Sequence, residues 1–270
     1  MDALPFRSHA RDGVGKVIGG VVRPSPELSV VMPVYNEAGN IGPVVLSWLE
    51  ELDRLEIDYE LRAYDDGSRD DTLSILRRIA RGHPQLIALH HQNIGHGRTI
   101  SRGYRESRSE WVFQIDSDGE MGPEPFAELW AVREHYDLLL GCRGNRQTSL
   151  ARRVISRGSR LVVRTLFGGG LWDVNTPYRL VRSRTLAWML PSIPPDAFAP
   201  NVMMTGLARL GGLRIHQQWI AHQPRRSGTS SIAGFSQWAV AARCTAETLA
   251  VARRARGRAT AREALTRDGR

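Results

Sequence analysis

The chain has 270 residues, 41% of them hydrophobic, with 37 Lys and Arg against 28 Asp and Glu. That apolar content supports a sizeable core and excludes global disorder. The net charge of +9 is nearly all arginine, Lys16 being the sole lysine, and calls for an anionic partner: phosphate, nucleic acid or a membrane surface.

Cys142 and Cys244 are too few for a disulfide framework and read as reduced thiols. The opening MDALPFRSHARDG lacks the apolar stretch of a signal peptide. No window approaches the roughly 20 apolar residues of a membrane span. The expectation is a soluble or peripheral protein, cytoplasmic and held at most reversibly at a membrane.

Residues 1–27 mix Gly, Pro, Arg and Ser without periodicity and read as a flexible lead-in. Leu28 to Val34 is a short apolar run bounded by Asn, a buried strand. Helical spacing follows over Ile41 to Leu55. Tyr59 to Tyr64 is a second strand, closed by Asp65-Asp66-Gly67-Ser68, and Asp70 or Asp71 can cap a helix to about Arg81. Leu86 to His90, Trp111 to Ile115 and Asp137 to Gly141 are further strands. Between them lie a helix from about Gly97 to Ser107 and another begun by Pro123. This alternation predicts an α/β domain with a mainly parallel central sheet flanked by helices.

Residues 149–167 read as an acid-free helix with Arg153, Arg157, Arg160 and Arg164 on one narrow face. Residues 171–200 are less regular. Asn201 to Leu210 reads as a helix and Leu213 to Ile220 as a strand. Ser230 to about Arg256 reads as a long amphipathic helix with Phe235, Trp238, Ala242 and Leu249 as its apolar stripe. The expected division is a lead-in at 1–27, one domain at 28–231, a C-terminal amphipathic helix at 232–256 and a disordered basic tail at 257–270.

In open parallel sheets, ligands bind beyond the carboxyl ends of the strands, and the polar clusters fall there. They are Pro33 to Glu37, Asp65 to Thr72, Asn93 to Gly97, and Asp116 to Glu120. Carboxylates converging from successive strand ends repel unless a cation sits among them. Asp116-Ser117-Asp118, directly after an apolar strand, offers hard oxygens for Mg²⁺ or Mn²⁺ bridging to a diphosphate, with Glu120 as a third donor. Asp65 or Asp66 can accept hydrogen bonds from a nucleobase or ribose. Asn93 to Gly97 lets a helix N-terminus approach a phosphate. There is no Gly-x-Gly-x-x-Gly fingerprint after the first strand and no P-loop, so dinucleotide dehydrogenases and P-loop enzymes are disfavoured.

The ordered set PVYNE (33–37), DDGSRDDT (65–72), NIGHG (93–97), QIDSDGE (114–120) and RRSGTSS (225–231) resembles family 2 glycosyltransferases of the GT-A fold. The similarity spans about residues 28–231 and lies nearest the dolichol-phosphate mannosyltransferase-like branch, which transfers sugars to polyprenyl phosphates. The resemblance implies that Pro33, Tyr35, Glu37 and Asp65 hold the nucleoside, and Asp66, Asn93 and Gly95 are read beside them as nucleotide-binding. Asp116 and Asp118, with Glu120 where the branch often has Gln, would serve the metal. Arg143, which keeps the Arg of the branch's Gly-Ser-Arg, would be catalytic. Arg152, Arg153, Ser156, Arg179, Arg225 and Arg226 would grip an acceptor phosphate. Asn175-Thr-Pro-Tyr-Arg179 departs from the branch's Thr-Ser-Gly-Phe-Arg, so only Arg179 carries over there.

The implied reaction is an inverting, metal-assisted displacement from a UDP- or GDP-sugar to a polyprenyl phosphate. A small-molecule or glycan acceptor is the alternative. A phosphate acceptor needs cations rather than a base, which suits the arginines. A hydroxyl acceptor needs a base, for which Asp196 is the isolated candidate. Nucleic-acid binding would explain the charge, but not carboxylates that repel a phosphodiester backbone. The stretch 251–270 holds seven Arg and two acids, a net +5 suited to an anionic membrane surface.

Overall fold

A computed structural model describes residues 16–18, 21–23, 25–143, 165, 168–221 and 243–254. Its strands are β1 (Lys16–Ile18), β2 (Val21–Arg23), β3 (Leu28–Val34), β4 (Tyr59–Asp65), β5 (Leu86–His90), β6 (Trp111–Gln114), β7 (Leu138–Arg143), β8 (Arg179–Arg182) and β9 (Ile215–Ile220). Its helices are α1 (Ile41–Arg54), α2 (Thr72–Ala80), α3 (His96–Glu106), α4 (Phe126–Val132), α5 (Ser183–Met189), α6 (Pro200–Leu210) and α7, residues 243–254.

Seven strands form one sheet in the order β5-β4-β3-β6-β8-β7-β9. β8 runs antiparallel to both its neighbours, and every other described pairing in the sheet is parallel. Successive strands step outward from β3 to β5, then β6 returns to the other side of β3. That reversal is the switch point where such sheets open a crevice. Pro33 marks it. The Val31 carbonyl accepts from Ile115 on the β6 side, and period 2 turns Pro33's amide-less nitrogen the same way, just past the last β6 pairing at Val31–Gln114. A proline is tolerated in this central strand because its neighbour is already leaving.

Alternate strand residues feed two cores, as expected for a sheet covered on both faces. Val30 and Met32 join Trp48 of α1, Leu76 of α2 and Phe126 of α4 on one face. Trp48, Phe113, Phe126 and Tyr178 pack there in tilted contacts, with Phe113–Phe126 centroids 4.7 Å apart. Val31 joins Tyr104 of α3, Leu186 of α5, Met203 of α6 and Val251 of α7 on the other.

The chain departs from the sequence reading in several places. β1 and β2 pair antiparallel inside the expected lead-in, around Gly19-Gly20 in the sequence, a composition that hairpins favour. The helix expected at Pro123 begins at Phe126, whose amide is held by the Pro123 carbonyl in a preceding turn. β8 and α5 occupy the segment read as irregular. In α7, Thr248, Val251 and Ala252 face inward, and Glu247 accepts from the Phe198 amide at 2.9 Å. The described part of the C-terminal helix thus packs onto the sheet domain, through a stripe that bypasses the half-buried Leu249. Phe235, Trp238, Ala242 and the arginine helix at 149–164 lie outside the described residues.

Candidate active site

At the carboxyl ends of the strands, the loops after β3 and β4 are stitched together. Asn36 donates its amide to Ser68 Oγ and accepts from the Arg69 amide. The Glu37 amide bonds Thr72 Oγ1, and the Ala38 amide bonds Asp70. Asp70 also accepts from the Thr72 amide, so it, not Asp71, orders the start of α2. Burial would raise the Asp70 carboxyl, but the Thr72 hydroxyl and the Thr72 and Ala38 amides outweigh it and hold it below its ordinary value.

Beyond these loops lies a cleft of about 560 Å³ lined by Tyr35, Gly67, Ser68, Arg69, His90, Gln92 and Asn93. Gly67 is required at its lip. Its φ is +73°, and a Cβ would sit 2.7 Å from the Asn93 backbone nitrogen.

The two aspartates of the Asp65-Asp66 pair have separate tasks. Asp65 is fully buried beneath the lining. Register sets it beside His90, whose Nδ1 lies 2.6 Å from Asp65 Oδ2, and its Oδ1 accepts from the Ser68 amide. Asp66 is turned away from the nucleotide role expected for it. Its two oxygens accept the Ile94 and Gly95 amides at 2.7 and 2.9 Å, and His91 Nδ1 lies 3.3 Å away. This strut shapes the 93–95 turn and consumes amides expected to face a phosphate. Glu37 is likewise buried, accepting from Asn40 at the entry to α1.

Across the switch point, Asp116 follows β6. Its Oδ1 accepts from Gln114 Nε2 at 3.0 Å, with His96 Nε2 3.5 Å away. Asp118 Oδ1 accepts the Glu120 amide across a turn at Gly119. Among the described residues no three His, Cys, Asp or Glu side chains form a metal group, so Asp116, Asp118 and Glu120 do not make a three-carboxylate cage. The Asp116 and Asp118 carboxylates are hard oxygen donors of the kind a divalent cation takes when a substrate diphosphate completes its shell.

Arg143 ends β7 locked to Asp173 by two bonds, at 2.7 and 3.1 Å. Burial would lower its pKa, but the bonds and charge of Asp173, then the charges of Asp116 and Glu120, outweigh it and raise it. Asp173 was not foreseen, since nothing in Trp172-Asp173-Val174 marks it as a partner. Cys142 beside it is buried, its thiol pushed up to about 12 chiefly by burial and by Asp173.

Arg179 corrects a second expectation. It is completely buried, and its guanidinium donates to the Thr176 and Asn201 carbonyls at 2.9–3.0 Å and to Thr205 Oγ1. With its donors directed inward it cannot grip an acceptor phosphate. Asp196, the isolated candidate base, is exposed, 3.9 Å from Arg98. Arg152, Arg153, Ser156, Arg225 and Arg226 lie outside the described residues.

Residues 29–189 match the sequence profile of Glycosyl transferase family 2. The chain belongs to this family. Among its relatives is the undecaprenyl-phosphate 4-deoxy-4-formamido-L-arabinose transferase of Pseudomonas fluorescens, 29% identical over 214 residues, which cover 77% of this chain and 62% of the relative. The Proteus mirabilis enzyme of the same name is 29% identical, over 76% of this chain and 62% of its own length. The chain thus spans less than two thirds of these relatives. Glucosyl-3-phosphoglycerate synthase from Mycobacterium tuberculosis, solved with Mn²⁺, uridine diphosphate and phosphoglyceric acid, superposes with a TM-score of 0.62 at 21% identity, covering 84% of this chain and 78% of that one. Residues 1–349 of S. aureus TarS give 0.53 at 19% identity, over 73% and 60%. These likenesses establish the GT-A fold of this family 2 glycosyltransferase domain.

Proposed function

We propose that the chain transfers a sugar from a nucleoside-diphosphate sugar to a polyprenyl-phosphate acceptor by inverting displacement. The observation carrying the donor half is the cleft beyond the carboxyl ends of β3, β4 and β5, with the Asp65–His90 pair under one wall, while Asp116 follows β6, the next strand on the other side of β3. The nucleoside lies between Tyr35 and His90, with Asp65 acting through His90, and the diphosphate runs toward Asp116. Asp116 and Asp118 would hold the Mg²⁺ or Mn²⁺, which when bound would neutralise charge on the leaving diphosphate. Arg143, held by Asp173 at the end of β7, is the cation we assign to the leaving diphosphate.

The acceptor half rests on the named activity of the relatives and on the arginine excess. An ionised phosphate is a nucleophile without a base and needs only cations to hold it. Among the described residues no helix is long and apolar enough to cross a membrane. The basic 251–270 stretch, with seven Arg against two acids, would bring the protein to an anionic surface. The chain is expected to sediment with anionic vesicles and to be released by salt; equal binding to neutral vesicles would overturn the electrostatic part.

The main test offers UDP- and GDP-sugars, Mg²⁺ or Mn²⁺ and a short polyprenyl phosphate, with mass spectrometry of the lipid product. Asp118→Asn should abolish transfer while leaving the melting temperature nearly unchanged. Absence of any nucleotide-sugar binding or turnover in the wild type would defeat the proposal.

A further inference from the structure

Three side chains from three elements run in line behind Asp116. Gln114 Nε2 donates to Asp116 Oδ1 at 3.0 Å, Asn201 Nδ2 donates to Gln114 Oε1 at 2.9 Å, and the Tyr104 hydroxyl donates to Asn201 Oδ1 at 3.0 Å. Gln114, Asn201 and Tyr104 are 0%, 4% and 2% exposed, so water does not replace these bonds.

The polarity of this chain follows from its first member. An ionised carboxylate only accepts, so Gln114 must turn its amino group toward Asp116. The Gln114 carbonyl then faces inward and requires a donor, which fixes the Asn201 amide in one orientation. The Asn201 carbonyl requires a donor in turn, and Tyr104 supplies it. Burial pushes the Tyr104 hydroxyl above its ordinary pKa, so it keeps its proton. The middle of the line is anchored from below, because Arg179 Nη1 and Thr205 Oγ1 both donate to the Asn201 main-chain carbonyl. The arginine withdrawn from the acceptor site thus supports the metal side instead.

We infer that Gln114, Asn201 and Tyr104 are positioning residues that hold Asp116, through Oδ1, as an oriented acceptor for the divalent cation. The inference rests on the metal reading given above. A carboxylate beyond a strand end otherwise samples several rotamers, and each binding event must select one. Partners behind metal ligands typically change affinity by about 10–100-fold.

Asn201→Asp keeps size and shape but sets an acceptor against Gln114 Oε1, so the line can no longer run toward Asp116. Tyr104→Phe keeps the ring and removes only the last donor. Both variants are compared with wild type by titration with Mn²⁺ alone, followed by electron paramagnetic resonance of free Mn²⁺. UDP affinity in EDTA and the melting temperature are measured alongside. Asn201→Asp should raise the Mn²⁺ Kd at least about 10-fold, and Tyr104→Phe should raise it in the same direction by less. UDP affinity in EDTA should not change. Unchanged Mn²⁺ affinity in folded Tyr104→Phe and Asn201→Asp would overturn the relay. Equal losses of Mn²⁺ and metal-free UDP affinity would overturn it in favour of a general packing role. A wild-type chain that binds UDP but takes up no Mn²⁺ would overturn the metal reading, and the relay's purpose with it.

Discussion

Asp66→Asn separates a structural strut from a nucleotide ligand, the role expected of Asp66 from the sequence. The wild-type carboxylate is buried and satisfies two backbone amides, those of Ile94 and Gly95, at 2.7 and 2.9 Å. Asn keeps one acceptor and turns an NH₂ toward the other amide, so a buried donor faces a donor. Losing one bond to a charged acceptor costs about 1.5–3 kcal/mol, and a stranded buried donor about 1–3 kcal/mol. These overlap in part, and a net loss of about 2–4 kcal/mol is expected. For a domain of this size that lowers the melting temperature by roughly 5–15 °C. The assay is thermal and urea unfolding, with a lower urea midpoint at an unchanged slope. Nucleotide binding should weaken as well, because the 93–95 turn forms part of the cleft wall, so the two losses should appear together. Unchanged thermal and urea stability with a large loss of nucleotide affinity would refute the reasoning and return Asp66 to the ligand.

Arg179→Lys should destabilise the fold by about 1–3 kcal/mol, since the buried Thr176 carbonyl loses the two guanidinium bonds it takes, while Thr205 Oγ1 still serves the Asn201 and Val174 carbonyls. If urea unfolding instead showed native stability and kinetics showed only a raised acceptor KM, Arg179 would be an acceptor ligand after all. Asp173→Asn tests the lock on Arg143 through pH. Burial raises the Asp173 carboxyl, but the bonds and charge of Arg143, with the Asn175 amide, outweigh it and hold it below its ordinary value. A depressed folded pKa confers stability that is complete well above the unfolded value of about 3.9 and drains away as pH falls through the folded value. The stability gap between wild type and Asp173→Asn should therefore be level near neutrality and close on acidification. A gap independent of pH would mean that the lost contact is not ionic.

The C-terminal side of the fold shows why some elements escaped the sequence. β8 has an arginine at each end, and a four-residue Arg-Leu-Val-Arg run carries no period that marks a strand. Only the pairing of Phe113 with Leu180 and Leu139 with Leu180 makes it one. The burial of Arg179 depends on carbonyls from 174, 176 and 201 arriving around it, and no local rule anticipates that convergence.

The strands β3 to β7 were legible to within two residues at either end, because the inner strands, buried on both faces, must be apolar runs closed by polar turns, and the half-buried edge strand β5 keeps the apolar Leu-Ile-Ala-Leu run. The positions of the acidic clusters were legible for the same reason: a cluster that follows a strand lies at the sheet's carboxyl edge. The tasks of those acids were not. Asp65 and Asp66 are identical neighbours in the sequence, yet alternation along the chain turns one toward His90 and the other toward two backbone amides. The partners that give each carboxylate its role come from strands and helices distant in the chain. Local sequence therefore determined which chemistry is present and at which edge, and tertiary packing decided which atoms remain to perform it.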